Sequence, residues 1–342
     1  RDPPMNHGRI RRRTFAAAVV LAASVGVALP VRAQPRLEKS RVGIAVPGKG
    51  ELPFLPLTIA DQLGYFKAEG LEVELIDGPS GIADISCGTF DQVIALQARG
   101  QPAQSFVLQG RAPAMALGVS LRAVPNFRSM SDLRGLRIGV SAQGSTSHLM
   151  ASRVLALGGL KPDDVSFVSV GSAQIAQSAL RGGQIDALCN PDPAMTLLEQ
   201  RAEVRIVSDA RTLKGTERVF GGPMPAACLY APPDYVERYP QVCQALAYAT
   251  VHALKWLQTA GPRDIVKTVP EAYLLGDRAL YLASFEKLRE SISPDGILSL
   301  EGARTALRAL SAFDAGVAAS RIDLARTYTN TFARRAKERF RA

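Results

Sequence analysis

Histidine is nearly missing from these 342 residues: three occur, His7, His148 and His252. Acid–base catalysis through imidazole therefore has few carriers. Cysteine is also scarce. Cys87, Cys189, Cys228 and Cys243 are dispersed, with no CxxC pair and no Cys/His grouping at zinc spacing. Their apolar surroundings suit buried free thiols, and disulfides stay open as an alternative wherever export permits them. No nucleophile elbow and no metalloprotease helix occurs. Pro47-Gly48-Lys49-Gly50-Glu51 is not a Walker phosphate loop, because the glycine spacing and the Lys-Ser/Thr pair are missing. Repeats and low-complexity stretches are absent too. These gaps argue against zinc, thiol and serine-elbow chemistry; no catalytic residue, no metal and no cofactor is expected.

What is present is ordinary in bulk. The chain is 47% hydrophobic and 21% charged, which suits a globular protein of two domains or one bilobal unit and excludes disorder. Its first residues read as a signal peptide over 1–33. Arg9, Arg11, Arg12 and Arg13 form a basic start, Phe15 to Leu29 an Ala/Val-rich apolar run, and Val31-Arg32-Ala33 a cut site before Gln34. The run is shorter than the ~20 residues a membrane-spanning helix needs. Arg12-Arg13-Thr14-Phe15 partly resembles a twin-arginine signal, so export to the periplasm by the Sec or the twin-arginine route is expected. No cysteine flanks the cut, so no lipid anchor is expected, and Met5 reads as the start. Without 1–33 the chain loses six arginines and one acid, and its net charge falls from +10 to +5. That balance suits small anionic solutes or an anionic surface and does not call for nucleic acid. The basic run Arg334–Arg341 reads as the solvated end of a helix.

Along the chain, Arg41–Val46 and Leu71–Ile76 read as strands, with Leu55–Ala68 a helix between them ended by Gly70. After Asp77 only Gly78-Pro79-Ser80-Gly81 precedes a short strand at Ile82–Cys87. A parallel return needs about a dozen residues, so this link predicts a hairpin. Phe90–Arg99 is helical, and Ser105–Leu108 and Ala114–Ser120 are strand-like. Leu136–Ser141 then runs into Gln143-Gly144-Ser145-Thr146-Ser147 and a helical apolar series, Leu149, Met150, Val154, Leu155. Strand, Gly/Ser/Thr turn and helix in this order make an anion-ready helix start; the plainer reading, favoured on these residues alone, is that Ser145 or Ser147 simply caps the helix. Strands at 164–170, 185–188 and 204–207 alternate with helices at 173–181 and 191–201. Ala226–Tyr230 is a further strand, and from Asp234 the chain is nearly all helical. The alternation implies an α/β fold with parallel sheets. Pro-marked breaks at Val124-Pro125 and Gly222-Pro223-Met224-Pro225 bracket an inserted unit.

Pro56-Leu57-Thr58-Ile59-Ala60 with Leu63-Gly64-Tyr65-Phe66-Lys67-Ala68-Glu69-Gly70-Leu71-Glu72-Val73 resembles the opening of ABC-importer substrate-binding proteins. The group is the nitrate/sulfonate/taurine family, which includes binders of thiamine-pyrimidine precursors. Asp132-Leu133-Arg134-Gly135 with Gly144-Ser145-Thr146, Leu180-Arg181-Gly182-Gly183-Gln184-Ile185-Asp186-Ala187 and Tyr328-Thr329-Asn330-Thr331-Phe332 extend the resemblance. It implies a type II periplasmic-binding-protein fold: two α/β lobes, two crossing strands and a helical C-terminus. Lobe one would be 41–123 with 226–342, and lobe two 124–225. A solute would bind between the lobes by hinge closure, and the partners would be that solute with the permease and ATPase subunits; the receptor would be a monomer. The family's helix after the second strand is missing at 78–81, which would leave an apolar sheet face partly uncovered and remove one wall of the cleft.

On the resemblance, Ser145, Thr146 and Ser147 become candidate anion contacts. Asp192 is either a helix-start acid or the partner of an amine or ring N–H. Gly88 and Thr89 offer backbone N–H groups and a hydroxyl at the end of a strand. Pro53 and Phe54 are candidates ahead of the first helix, with core packing as the alternative. His148 and Trp256 read as structural. Ser/Thr turns suit sulfonate, taurine or nitrate; a thiamine-pyrimidine-like heterocycle would use Asp192. Enzymes related to this group use a Cys-rich segment with a His, which is missing here. A sensor on the same fold is the third reading.

Overall fold

The Val/Ile-rich runs assemble into two five-stranded mixed sheets. The computed structural model describes residues 36–79, 81–171, 173–274 and 276–342; the expected signal peptide lies outside them. The first sheet contains β1 (Arg41–Val46), β2 (Glu72–Asp77), β3 (Ile85–Thr89), β4 (Gln104–Leu108) and β10 (Ala227–Ala231), in the order β2-β1-β3-β10-β4. The second contains β5 (Met115–Ser120), β6 (Arg137–Val140), β7 (Ser166–Ser169), β8 (Ala187–Pro191) and β9 (Val204–Asp209), in the order β7-β6-β8-β5-β9. The strand that enters each sheet from the other, β10 or β5, runs antiparallel to its neighbours. Both sheets are therefore mixed, where alternation alone implied parallel ones. The two crossing segments lie side by side: Gly110 N–H donates to the Ala227 carbonyl at 3.0 Å, and Ala226 N–H to the Gly110 carbonyl at 2.8 Å.

Two lobes built this way, with a helical C-terminal region packed back on the first, make the type II periplasmic-binding-protein fold. One core sits under Val42, Ile44 and Leu229, against the Leu55–Gln62 and Pro240–Thr259 helices. A second runs through both lobes, joining Leu108 and Cys228 of the first sheet to Leu117, Ile138 and Val140 of the second. The Phe90–Ala98, Thr146–Leu157 and Leu300–Ser311 helices cover it. All four cysteines are free and buried. Trp256 is partly buried against the first core.

Several elements break where local chemistry dictates. The expected 55–68 helix is two, because Gly64 takes φ 71° and opens a second helix at Tyr65–Ala68. Pro240 likewise divides the C-terminal helix into Pro233–Arg238 and Pro240–Thr259. The expected 191–201 helix begins at Ala194, because Pro191 closes β8. A helix at Leu213–Phe220, capped by Thr212 Oγ1 on Gly215 N–H, was not anticipated from periodicity.

The link after β2 corrects the hairpin expectation: β3 pairs parallel with β1, on the side away from β2. Stagger explains how so short a link manages it. β2 ends level with Val46, and β3 enters level with Ile44 near the same end of β1. Crossing two strand spacings, about 10 Å, is well within the reach of residues 78–84. No helix occurs among the described residues of that link. The face it leaves open is only slightly apolar. Glu72 and Glu74 project there, with Glu72 paired to Arg41 at 2.8 Å. A Cβ on Gly43 would lie 3.1 Å from Ile76 Cδ1 and 3.6 Å from Ala83 Cβ, so those two side chains seal the glycine. Ile82, 51% exposed, is the apolar residue left over.

Candidate functional site

The C-terminal strand ends of both lobes face each other, and each expected site residue can be placed there. Ser145 is the N-cap of the Thr146–Leu157 helix: its Oγ accepts from His148 N–H and lies 2.9 Å from Ser147 Oγ. Ser147 Oγ accepts from Ser141 N–H at 2.9 Å. Both hydroxyls thus brace their own turn, which is the capping alternative. His148 Nδ1 accepts from Gly144 N–H at 3.1 Å, its ring stands edge-on to Phe167, and burial lowers its pKa.

Thr146 does something different. Its hydroxyl crosses to the first lobe, lying 2.6 Å from Thr89 Oγ1 and 3.0 Å from both oxygens of Asp91. Thr89 and Asp91 open the Phe90–Ala98 helix. The nearby backbone N–H groups of Asp91 and Gln92 also favour its charged form. A buried carboxylate therefore fills the point where two helix starts converge, a position that favours negative charge. Burial raises the Asp91 pKa against the pull of these hydrogen bonds. Asp91 was not singled out from sequence. Its type in a first helical turn was visible, but its partner lies 55 residues away.

A Cβ on Gly88 would fall 3.0 Å from Gln92 Oε1 and 3.1 Å from Tyr230 Cε1, so both side chains crowd that position. Phe54 is buried in the first core and Pro53 half-buried beside it. Next to them, Leu52 N–H donates to the Asp192 carbonyl at 3.0 Å, a second tie between the lobes. The Asp192 side chain is fully buried and accepts from Thr196 N–H at 2.8 Å and Thr196 Oγ1 at 2.9 Å. That is the helix-start role. Arg211, also fully buried, lies 3.6 Å from Asp192, 2.7 Å from Asp209 and 3.0 Å from Glu199. Burial raises the Asp192 pKa and Arg211 opposes it, whereas Asp209, in closer contact, is held low by Arg211 despite burial. Lys287 of the Arg278–Leu288 helix reaches Glu199 at 2.7 Å and carries the network into the first lobe.

Three further groups belong to this region. Glu51, half-buried after β1, has its carboxyl pushed up to about 8 by burial, with the charge of Asp77 adding to the shift. Asn190 is fully buried, and neither end of its carboxamide has a partner. Gln109, in the first crossing segment, places Nε2 3.2 Å from Cys87 Sγ. A cavity of about 410 Å³ lies beside the crossing segments, lined by the apolar Leu108, Leu213, Pro223 and Pro225 and the polar Arg111, Thr216, Glu217, Ser293, Asp295 and Ser299. It contains none of the expected site residues and no contact between the two strand-end regions, so the strand-end cleft is the stronger candidate. Among the described residues, no group of three His, Cys, Asp or Glu could hold a metal ion, and no helix is long and apolar enough to cross a membrane.

The family model described as NMT1/THI5 like matches residues 52–260. Among solved structures, a protein from Bordetella bronchiseptica RB50 is 47% identical, with 90% of this chain and 100% of that one covered at a TM-score of 0.85. The alkanesulfonate-binding protein SsuA from Xanthomonas axonopodis pv. citri, bound to MOPS, is 19% identical over 86% of this chain and 100% of that one, TM-score 0.64. The periplasmic nitrate-binding protein NrtA from Synechocystis PCC 6803 is 15% identical over 89% of each chain, TM-score 0.62. The last two are similar in fold alone. No curated protein matches this chain.

Proposed function

This chain belongs to the NMT1/THI5-like family, and from that premise we propose that it is a periplasmic solute-binding receptor of an ABC importer. It binds one small organic solute between its lobes and, as a monomer, presents it to permease and ATPase subunits. It performs no catalysis. The observation that carries this reading is the pair of contacts across the strand ends, Thr89 with Thr146 and Leu52 with Asp192. With the Lys287–Glu199 pair they tie the two lobes away from the crossing segments near 109–114 and 221–226, which fits a hinge at those segments. A solute favours closure by touching both lobes.

Two solute chemistries compete. Sulfonates, taurine and nitrate are the anionic candidates, in line with what SsuA and NrtA are named for binding. A thiamine-pyrimidine-like heterocycle is the second, and Asp91 favours it. The junction of helix starts that would draw an anion already holds a carboxylate, and Arg211 is committed to three others. A thermal-shift panel on the full chain decides, using taurine, ethanesulfonate, nitrate and 4-amino-5-hydroxymethyl-2-methylpyrimidine. At 100-fold excess over Kd a true solute adds about 2.7 kcal/mol and raises Tm by several degrees. If the pyrimidine alone does so, the anion reading falls; if nothing does, the receptor reading falls. Turnover of a panel compound would favour an enzyme on this fold.

A further inference from the structure

Asn190 is an odd residue for its position. It sits in β8 with no solvent exposure, and both its Nδ2 and its Oδ1 are buried without a hydrogen-bond partner. Buried carboxamides are almost always paired, and asparagine is depleted in strands. A valine or leucine would fill such a place without an unmet polar group.

The register shows where this amide stands. β6 and β8 pair as Ile138 with Ala187 and Gly139 with Leu188, which continues to Ser141 beside Asn190. Ser141 lies where two turns meet: its N–H is held by Ser147 Oγ, and its carbonyl accepts from Gly171 N–H. Asn190 shares its sheet face with Leu188, which packs with Val170 and Ala176. It therefore lies toward the start of the Ala173–Arg181 helix. Two residues on, the Asp192 carbonyl takes the Leu52 N–H of the other lobe. The unpaired amide thus stands among the strand ends that face the cleft.

We propose that Asn190 is the side chain of the second lobe that reads the solute. Resting on the receptor reading, this assigns it a solute edge with a hydrogen-bond acceptor beside a donor, as in an aminopyrimidine or a cis amide. The acceptor takes an Nδ2 proton and the donor meets Oδ1. Nitrate and a sulfonate group offer acceptors alone, and the ammonium of taurine is two carbons away from its sulfonate rather than beside it, so neither matches both ends of the amide.

The test compares wild type with Asn190→Leu and Asn190→Ala in the full chain. Melting without solute is read first, then calorimetric titration with 4-amino-5-hydroxymethyl-2-methylpyrimidine and with taurine. The expected result is that Asn190→Leu melts at or above wild type without solute, while both variants bind the pyrimidine at least tenfold more weakly. A fall of more than 5 °C in solute-free Asn190→Leu would assign the amide to the fold and overturn the proposal. So would pyrimidine binding within twofold of wild type, or taurine as the ligand that depends on Asn190. If wild type binds neither probe, the receptor reading is what fails. The assignment of Asn190 falls with it; a failure of the assignment alone shows instead as a wild type that binds the pyrimidine and variants that bind it equally well.

Discussion

Asp91 and Glu51 are carboxyls whose pKa values are raised by burial, one between two helix starts and one behind the first strand. The folded chain therefore holds their protons more tightly than the unfolded chain does. Their contribution to stability is complete below the ordinary carboxyl range and is lost as pH rises through the folded values, about 8 for Glu51. Wild type should lose Tm between pH 6 and pH 9. Glu51→Gln should flatten that slope by about 2–4 °C, corresponding to roughly 1 kcal/mol, as read by scanning calorimetry. Equal slopes in both proteins would remove Glu51 as a cause. Thr146→Val keeps the shape at the lobe junction but takes a hydroxyl from Asp91. It should cost about 1–3 kcal/mol in a urea titration, and Asp91→Asn in the same background should recover part of that loss.

At the scale of elements, the sequence carried most of the strands and was weakest where a helix stops. Gly64 reads simply as part of a helical stretch, yet its φ of 71° divides that stretch in two. No atom lies within 4 Å of a Cβ placed there, so backbone strain is the cost of a side chain. Gly64→Ala should destabilise by about 1 kcal/mol, measurable by denaturant midpoint; a neutral result would mean the turn relaxes. The β2–β3 link has no helix among its described residues, and it is not the hairpin its length suggested. Residue counting limits reach but says nothing about stagger, and stagger is what lets β3 enter beside β1.

Across the whole molecule, Arg211 matters most among the residues not read from sequence. It lies 19 positions from Asp192, in a segment without periodic signal, and its burial among three carboxylates becomes visible once the second lobe is folded. Arg211→Met should cost about 3–5 kcal/mol, because Asp192 would be left buried beside Asp209 without its paired cation, with Lys287 acting on both only through the weaker field it already supplies. The check is a thermal melt at neutral pH, with partial recovery expected at low pH, where the carboxyls protonate. Lys287→Met cuts the same network at the lobe boundary, where Glu199 is partly exposed. It should cost under about 1 kcal/mol.

Local chemistry alone determined that this chain forms alternating strands and helices, that a Gly/Ser/Thr turn opens a helix at Thr146, and that Ser145 can cap it. Those features depend on neighbours within a few residues, so pattern and spacing reveal them. Tertiary structure decided what the turn is for. Thr146 reaches a carboxylate 55 residues away, Asp192 turns inward to Thr196 and Arg211, and Asn190 is left buried and unpaired. Each outcome depends on which side chains two separately built sheets bring together, and that information is spread along the chain with no local period to announce it.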